Sequence, residues 1–350
     1  MTYKNCPPVL ESYLRYLKTV KNNAPKTIYV RYCDVKSFLI FFVQRESGTP
    51  LATKDIEQSI ENVSAATIAA VTEDDISDYL EYLVEERHMT KLTIQRRKLP
   101  SLRQFYNYIF RYQEELGVSI SKNPVQEHWE KAIPADPCRI LSPAEISKVL
   151  DTIDKYAVLS SMENDTQNAG VVTNPAVRDK AIVLLLVTTG ISVDELIRVR
   201  CQDYIEDTMI VAGRKVHLTE ACRDALDTYL AEFRDPIEAA YTNLHDNALF
   251  ITNNHRRRLS IRGVQNALKK HFDRAEVNAT ARDLRYTAIA EMLKSARNEC
   301  ELAYIAGRLG YSNVSSVKQL LLQMGLPIPS DTNAMPNLIS GTWLDNIGRK

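Results

Sequence analysis

Two stretches of this 350-residue chain hold a density of positive charge that the chain as a whole lacks. Lys91, Arg96, Arg97, Lys98 and Arg103 share a window with no acidic residue. Arg256, Arg257, Arg258, Arg262, Lys269, Lys270 and Arg274 crowd a second window, opposed only by Asp273. Overall, Lys+Arg 44 balance Asp+Glu 44, so the formal net charge is zero. A neutral chain is not a general polyanion binder, but clustered Lys and Arg neutralise phosphates and release their counterions. One cluster alone reads as a solvated helix face. Two, in different halves of the chain, favour a phosphate backbone, and so double-stranded DNA, as partner.

Other chemistries find little support. The six cysteines (Cys6, Cys33, Cys138, Cys201, Cys222, Cys300) form no C-x-x-C pair, so neither a zinc site nor a disulfide framework is indicated. The six histidines show no metal-ligand spacing, and 11 glycines without a phosphate-cradling loop argue against a nucleotide fold. No metal and no cofactor is therefore expected. No apolar run approaches the roughly 18 residues of a membrane span, and the N-terminus lacks a signal-like apolar core. These features predict a cytoplasmic protein with no membrane partner.

The elements that must position the charges are mostly helical. Leu10, Tyr13, Leu14 and Leu17, and then Val35, Phe38, Leu39 and Phe42, follow helical spacing. Thr72 and Asp75 announce a third helix with a capping box, and Leu99, Leu102, Tyr106 and Ile109 mark a fourth, with Pro100 in its first turn. Beyond Gly117 the pattern lapses among prolines. Ser142-Pro143 restarts it, with Glu145 completing a cap. Ala181 to Thr188 reads as a buried helix closed by Gly190, with Ser192 capping the next one. Thr208 to Leu218 reads as a hairpin, and Ala248 to Thr252 as a further strand. The expected fold is mainly α with a small β-hairpin or sheet. At the C-terminus Trp343, Leu344 and Ile347 make an apolar patch that docks on its own domain or on another subunit.

Three local stretches carry a family resemblance. Thr-Ile-Gln-Arg-Arg-Lys-Leu-Pro-Ser-Leu-Arg-Gln-Phe-Tyr-Asn-Tyr-Ile (Thr93 to Ile109) resembles the last helix of the core-binding domain of tyrosine recombinases, the phage-integrase or Xer-like family. Thr-Thr-Gly-Ile-Ser-Val-Asp-Glu-Leu (Thr188 to Leu196) resembles its Thr-Gly-x-Arg-x-x-Glu-Leu motif. Ala-Arg-Asp-Leu-Arg-Tyr-Thr (Ala281 to Thr287) and Gly-Arg-Leu-Gly-Tyr-Ser (Gly307 to Ser312) resemble its His-x-x-Arg and Leu-Gly-His-Ser motifs. The resemblance implies a two-domain, C-clamp-like architecture. Residues 1–117 would be the helical, SAM-like core-binding domain, 118–140 a linker, 141–325 the catalytic-fold domain and 326–350 a tail.

In that family a tyrosine hydroxyl attacks a DNA phosphate while two arginines neutralise the developing charge. A hairpin lysine protonates the departing 5′ oxygen, and histidines shuttle protons. Carried across residue by residue, Arg285 matches the second arginine. Ser192 stands at the first arginine, Arg282 at the first histidine and Tyr311 at the later histidine or tryptophan. Leu320 stands at the nucleophile, and the shortened hairpin leaves Lys215 or Arg214 for the lysine. Tyr311 is the last tyrosine in the chain.

The leading expectation is therefore a DNA-binding protein of DNA recombination or integration whose cleavage centre has decayed, a pseudoenzyme of a mobile element. It would act beside an active recombinase or its own copies. The alternative is an active recombinase with a rearranged site, using Tyr311 or a partner subunit as nucleophile. A helical scaffold for protein partners is a third reading, which leaves the two basic windows unexplained.

Overall fold

A computed structural model of the chain describes residues 6–47, 58, 60–126, 138–164, 174–240, 247–252, 257–329 and 347. It divides into two compact units, Met1–Ala135 and Asp136–Lys350.

In the first unit, α1 (Pro8–Thr19) starts with proline at its first turn and buries Val9, Leu10, Tyr13, Leu14 and Leu17. These side chains pack on α2 (Pro25–Ser47) in a core with Val35, Phe38 and Leu39. A short helix, α3 (Ala65–Ala69), precedes α4 (Glu73–Glu85). The first turn of α4 is held by a reciprocal cap: Asp75 N–H donates to Thr72 Oγ1 at 3.3 Å, and Thr72 N–H donates to Asp75 at 2.8 Å. The last helix is built in three parts: a turn Lys91–Thr93, a π-turn Ile94–Lys98, and α5 (Leu99–Arg111). The π-turn has a sequence cause. Pro100 cannot donate to the carbonyl of Arg96 and its ring would collide there, so the chain widens and Leu99 N–H reaches back to Ile94 instead.

The stretch read as a linker is in part a wall of each unit. Ile120 and Val125 are buried in the first core, and Ile120 N–H donates to Gln113 Oε1 at 3.1 Å. On the other side, Cys138 is buried in a cluster with Ile289 and Leu293, and just beyond the stretch Leu141 N–H donates to Thr287 Oγ1 at 2.8 Å. Trp129 lies outside the described residues.

The second unit is organised around α7 (Pro175–Thr189), apolar on every face from Ala181 to Val187 and at most 1% exposed there. Around it pack α6 (Pro143–Asn164), α9 (Glu220–Tyr229) and α12 (Ala281–Lys294). Helix α7 stops at Gly190, which has φ of 68°. Besides that left-handed backbone, any Cβ there would lie 2.9 Å from Leu309 Cδ2. Then α8 (Val193–Leu196) begins at Ser192. Three short antiparallel strands follow in the order β1 (Tyr204–Ile205), β2 (Thr208–Val211) and β3 (Arg214–His217). Met209 pairs with Val216 and Val211 with Arg214. The two-residue turn is Ala212-Gly213 with both φ positive, 49° and 79°, the form that matches strand twist.

Ala248 to Thr252 does not form the expected strand. It makes only isolated bridges, Arg200 with Ala248 and Ile251 with Arg258. Leu249, Phe250 and Ile251 are all buried, so the run is an apolar plug among helices without a partner long enough for a ladder. A second π-turn, Leu230–Arg234, leads α9 into α10 (Asp235–Ala240) two residues before Pro236. The remaining helices are α11 (Ile261–Arg274), α13 (Glu299–Leu309) and α14 (Val314–Gln323). Of the tail patch, Trp343 and Leu344 lie outside the described residues, while Ile347 is buried in the main core of the second unit. That burial favours docking on its own unit.

Candidate active site

Four of the positions carried over from the resemblance meet at one cavity of about 830 Å³ in the second unit: Ser192, Arg282, Arg285 and Tyr311. Lys269 and Tyr286 also line it. Helix α12 presents Arg282, Arg285 and Tyr286 at helical spacing. Its first turn is fixed by Thr280 N–H donating to Asp283 at 2.8 Å. Tyr311 follows Gly310, the left-handed end of α13, and its N–H donates to Ala306 O at 2.9 Å.

Arg285 is the residue with unused capacity. Its Nε is buried and has no hydrogen-bond partner among the described residues, and its guanidinium lies 5.8 Å from the Tyr311 ring centroid. A buried cationic donor left unpaired is costly, so this one suits an anion. Arg282 leans over Tyr286: its Nε donates to the phenolic oxygen at 2.7 Å, and its guanidinium lies 4.8 Å from the ring. Burial pushes the Tyr286 phenol above its ordinary pKa despite that arginine, so it is held neutral.

Ser192 is committed to structure. Its Oγ accepts from Glu195 N–H at 3.2 Å and donates to Glu195 Oε2 at 2.8 Å, closing a capping box. The other Glu195 oxygen takes Arg214 from the hairpin, whose guanidinium also donates to the carbonyl of Arg308 at the end of α13. Gly310 leaves room for this arrangement, since a Cβ there would come within 2.8 Å of Arg214 Cζ.

Two of the carried-over positions do not line the cavity. Lys215 is exposed on β3, opposite Ile210, and is absent from the cavity lining; strand alternation sends Val216 inward and Lys215 out. Leu320 does not line the cavity either: it is buried with Val317 and Leu321 in an apolar cluster against which the cavity residues Tyr286 and Tyr311 pack.

The basic windows divide in the same way. Lys91, Arg96, Arg97, Arg257, Arg262, Lys269 and Lys270 are exposed. Lys98 is not a surface cation: it is 5% exposed and bonded to the buried Asp34 carboxylate at 3.1 Å. Its spacing with Ile94 and Leu102 places it on the helix's inner face. Arg103 is half-buried and donates to the Gln126 carbonyl at 2.6 Å. Half-buried Arg258 donates to the carbonyl of Ile197, and Arg256 lies outside the described residues. Sequence reasoning missed Arg31 and Asp34, and for Glu195 it found the cap but not the contact with Arg214. Asp34 carried a signal, an acid among the apolar positions Tyr32, Val35 and Phe38 of α2.

Among the described residues no group of three or more His, Cys, Asp or Glu is arranged to hold a metal ion. No described helix is long and apolar enough to cross a membrane.

Residues 152–320 match the model of the phage integrase family. The chain is 31% identical over 320 residues to tyrosine recombinase XerC of Caldanaerobacter subterraneus subsp. tengcongensis, covering 89% of this chain and 82% of the relative. Among solved structures it resembles the XerH site-specific recombinase in a post-cleavage complex with a palindromic difH substrate. That match has a TM-score of 0.58 and 15% identity, covering 90% of this chain and 91% of the other. A lambda integrase (residues 75–356) dimer bound to a COC′ core site matches with a TM-score of 0.51 and 15% identity, over 95% and 98% of the two chains. With two units, a helical fold carrying one small antiparallel sheet, and the motif positions gathered at one cavity, the chain belongs to the tyrosine recombinase (phage integrase) family.

Proposed function

We propose that this chain binds duplex DNA as a member of a recombination system and does not cut it. The single observation that carries the reading is the contrast between two family positions. Arg285 lines the cavity and its buried Nε has no hydrogen-bond partner among the described residues, while the nucleophile's position is Leu320, packed in an apolar cluster. A phosphate in the cavity would be met by Arg285, with Arg282 and Lys269 adding charge from α12 and α11. No hydroxyl stands at the family's position to attack it, so the phosphate is held and not transferred.

The relatives support the partner: the matched structures are named as recombinases on a substrate or a core site. In this reading the first unit is the core-binding domain and the second the catalytic-fold domain. Copies of the chain, or an active recombinase of a mobile element, are its neighbours on DNA.

A second reading rests on Tyr311, which lines the same cavity beside Arg285. There the chain remains a recombinase with Tyr311, or a partner subunit, supplying the nucleophile. One experiment separates the two. The full chain is incubated with suicide-nicked duplexes from its own flanking DNA, then run on native and denaturing gels. A shift without a covalent adduct supports the proposal; an adduct mapped to Tyr311 establishes the alternative.

A further inference from the structure

The charge cluster of the first unit is built around Asp34, a carboxylate with no exposed surface. Arg97 straddles it, Nε to Oδ2 at 3.2 Å and NH2 to Oδ1 at 2.8 Å. Lys98 Nζ reaches Oδ1 at 3.1 Å, and Ser101 Oγ lies 2.8 Å from Oδ2. Ser101, itself fully buried, accepts from Arg31 NH1 at 2.6 Å. The π-turn at Ile94–Lys98 brings the consecutive Arg97 and Lys98 onto the same acid. Two cations thus bond one carboxylate directly and a third reaches it through Ser101, so the cluster carries more positive than negative charge. The Arg97 side chain is 45% exposed.

Stability alone does not account for this arrangement. A buried ion pair is often no better than apolar residues of the same volume, and an excess of cations makes it worse. What the network does supply is fixed geometry. It holds two guanidiniums, from α2 and from the π-turn, that free side chains would have to immobilise on binding.

We propose that Asp34 and Ser101 are positioning residues that preset Arg31 and Arg97 as a paired guanidinium surface for DNA backbone phosphates. The inference rests on the DNA-binding reading above. It adds Arg31 as a contact and gives Asp34 a role opposite to its charge.

That opposition makes the test sharp. Asp34→Asn raises the net charge by one, so charge counting predicts tighter DNA binding, whereas positioning predicts weaker binding. The full chain is titrated against a labelled duplex from its flanking DNA by fluorescence anisotropy, at several salt concentrations, with circular dichroism to verify folding. The expected result is a Kd raised about fivefold or more, with the slope of log Kobs against log salt shallower by about 1. A folded Asp34→Asn that binds as well as the parent, or better, overturns the inference.

Ser101→Ala is the second arm, and it leaves Arg97 and Lys98 paired with Asp34. It should weaken binding, and adding Arg31→Gln to it should then cost less than about twofold, because the two act as one unit. Fully additive effects, or a neutral Ser101→Ala, refute the proposal. If the unaltered chain binds no duplex, the parent reading falls and takes this one with it. If it binds and the variants are unaffected, only this inference falls.

Discussion

Replacing Arg285 with methionine should stabilise the second unit while weakening its hold on DNA. Arg285 Nε is buried without a partner among the described residues, a defect that costs roughly 1–3 kcal/mol. Against this, the guanidinium gains about 0.5–1 kcal/mol from the Tyr311 ring 5.8 Å away. Methionine removes both terms and fills a similar volume with an adaptable chain. The net gain is about 1 kcal/mol, which raises Tm by roughly 2–4 °C in a unit of this size. On DNA, one lost phosphate contact should flatten the salt slope by about 0.9 and raise Kd about tenfold. The assays are a thermal melt followed by circular dichroism and anisotropy titrations at several salt concentrations. A Tm that falls by several degrees would mean Arg285 is a structural residue, and unchanged affinity would mean the cavity does not meet phosphate. Either result refutes the reasoning.

Ser192→Arg restores the family's arginine but removes the Oγ of a capping box, so Tm should drop by roughly 2–4 °C for a cap worth about 1 kcal/mol. It should yield no covalent adduct on nicked DNA, and measurable cleavage would overturn the view that the nucleophile is the limiting defect. Gly310→Ala forces a Cβ to within 2.8 Å of Arg214 Cζ at a φ of 80° and should cost more than about 1 kcal/mol. Gly307→Ala, inside α13 with nothing within 4 Å, should be neutral or stabilising by up to about 1 kcal/mol; equal melts for the two would refute the packing argument. Burial pushes the Cys222 thiol up to about 12, so at pH 8 it has almost no thiolate. Maleimide labelling followed by mass mapping should therefore find exposed Cys300 modified first, and Cys222 only as the unit unfolds.

What the sequence disclosed were features decided within a few residues. Gly190 as a helix stop, the Ser192–Glu195 cap, the Thr72–Asp75 cap and the hairpin at Gly213 all depend on local backbone preference. What it concealed depends on distant partners. Lys98 counts as a charge in any window, and only Asp34 on another helix shows that it is buried. Arg214 looked like a candidate acid, yet Glu195 and the end of α13 engage it. The apolar run Ala248 to Thr252 has the composition of a strand, but ladders need a neighbour of matching length. At the candidate site, Ser192, Arg282, Arg285 and Tyr311 were legible by motif spacing. That Lys215 and Leu320 do not line the cavity was not, since it follows from strand alternation and from the inner face of α14.

The π-turn ahead of Pro100 also sets how the first unit breathes. The proline leaves a gap in the hydrogen-bond ladder between the segment Lys91–Lys98 and the helix Leu99–Arg111. A ladder with a gap need not unzip as one piece. The expectation is that the amides before the proline exchange through a local opening that draws Ile94 from the core but leaves Leu102, Phe105 and Ile109 in it, and that those behind it exchange only on wider unfolding. The opening segment carries Arg97, so a ligand that requires the closed form slows deuterium uptake there in proportion to its saturation, and leaves the far side of the proline untouched. If DNA binds as proposed, its occupancy should be read from a handful of amides on one side of a single residue.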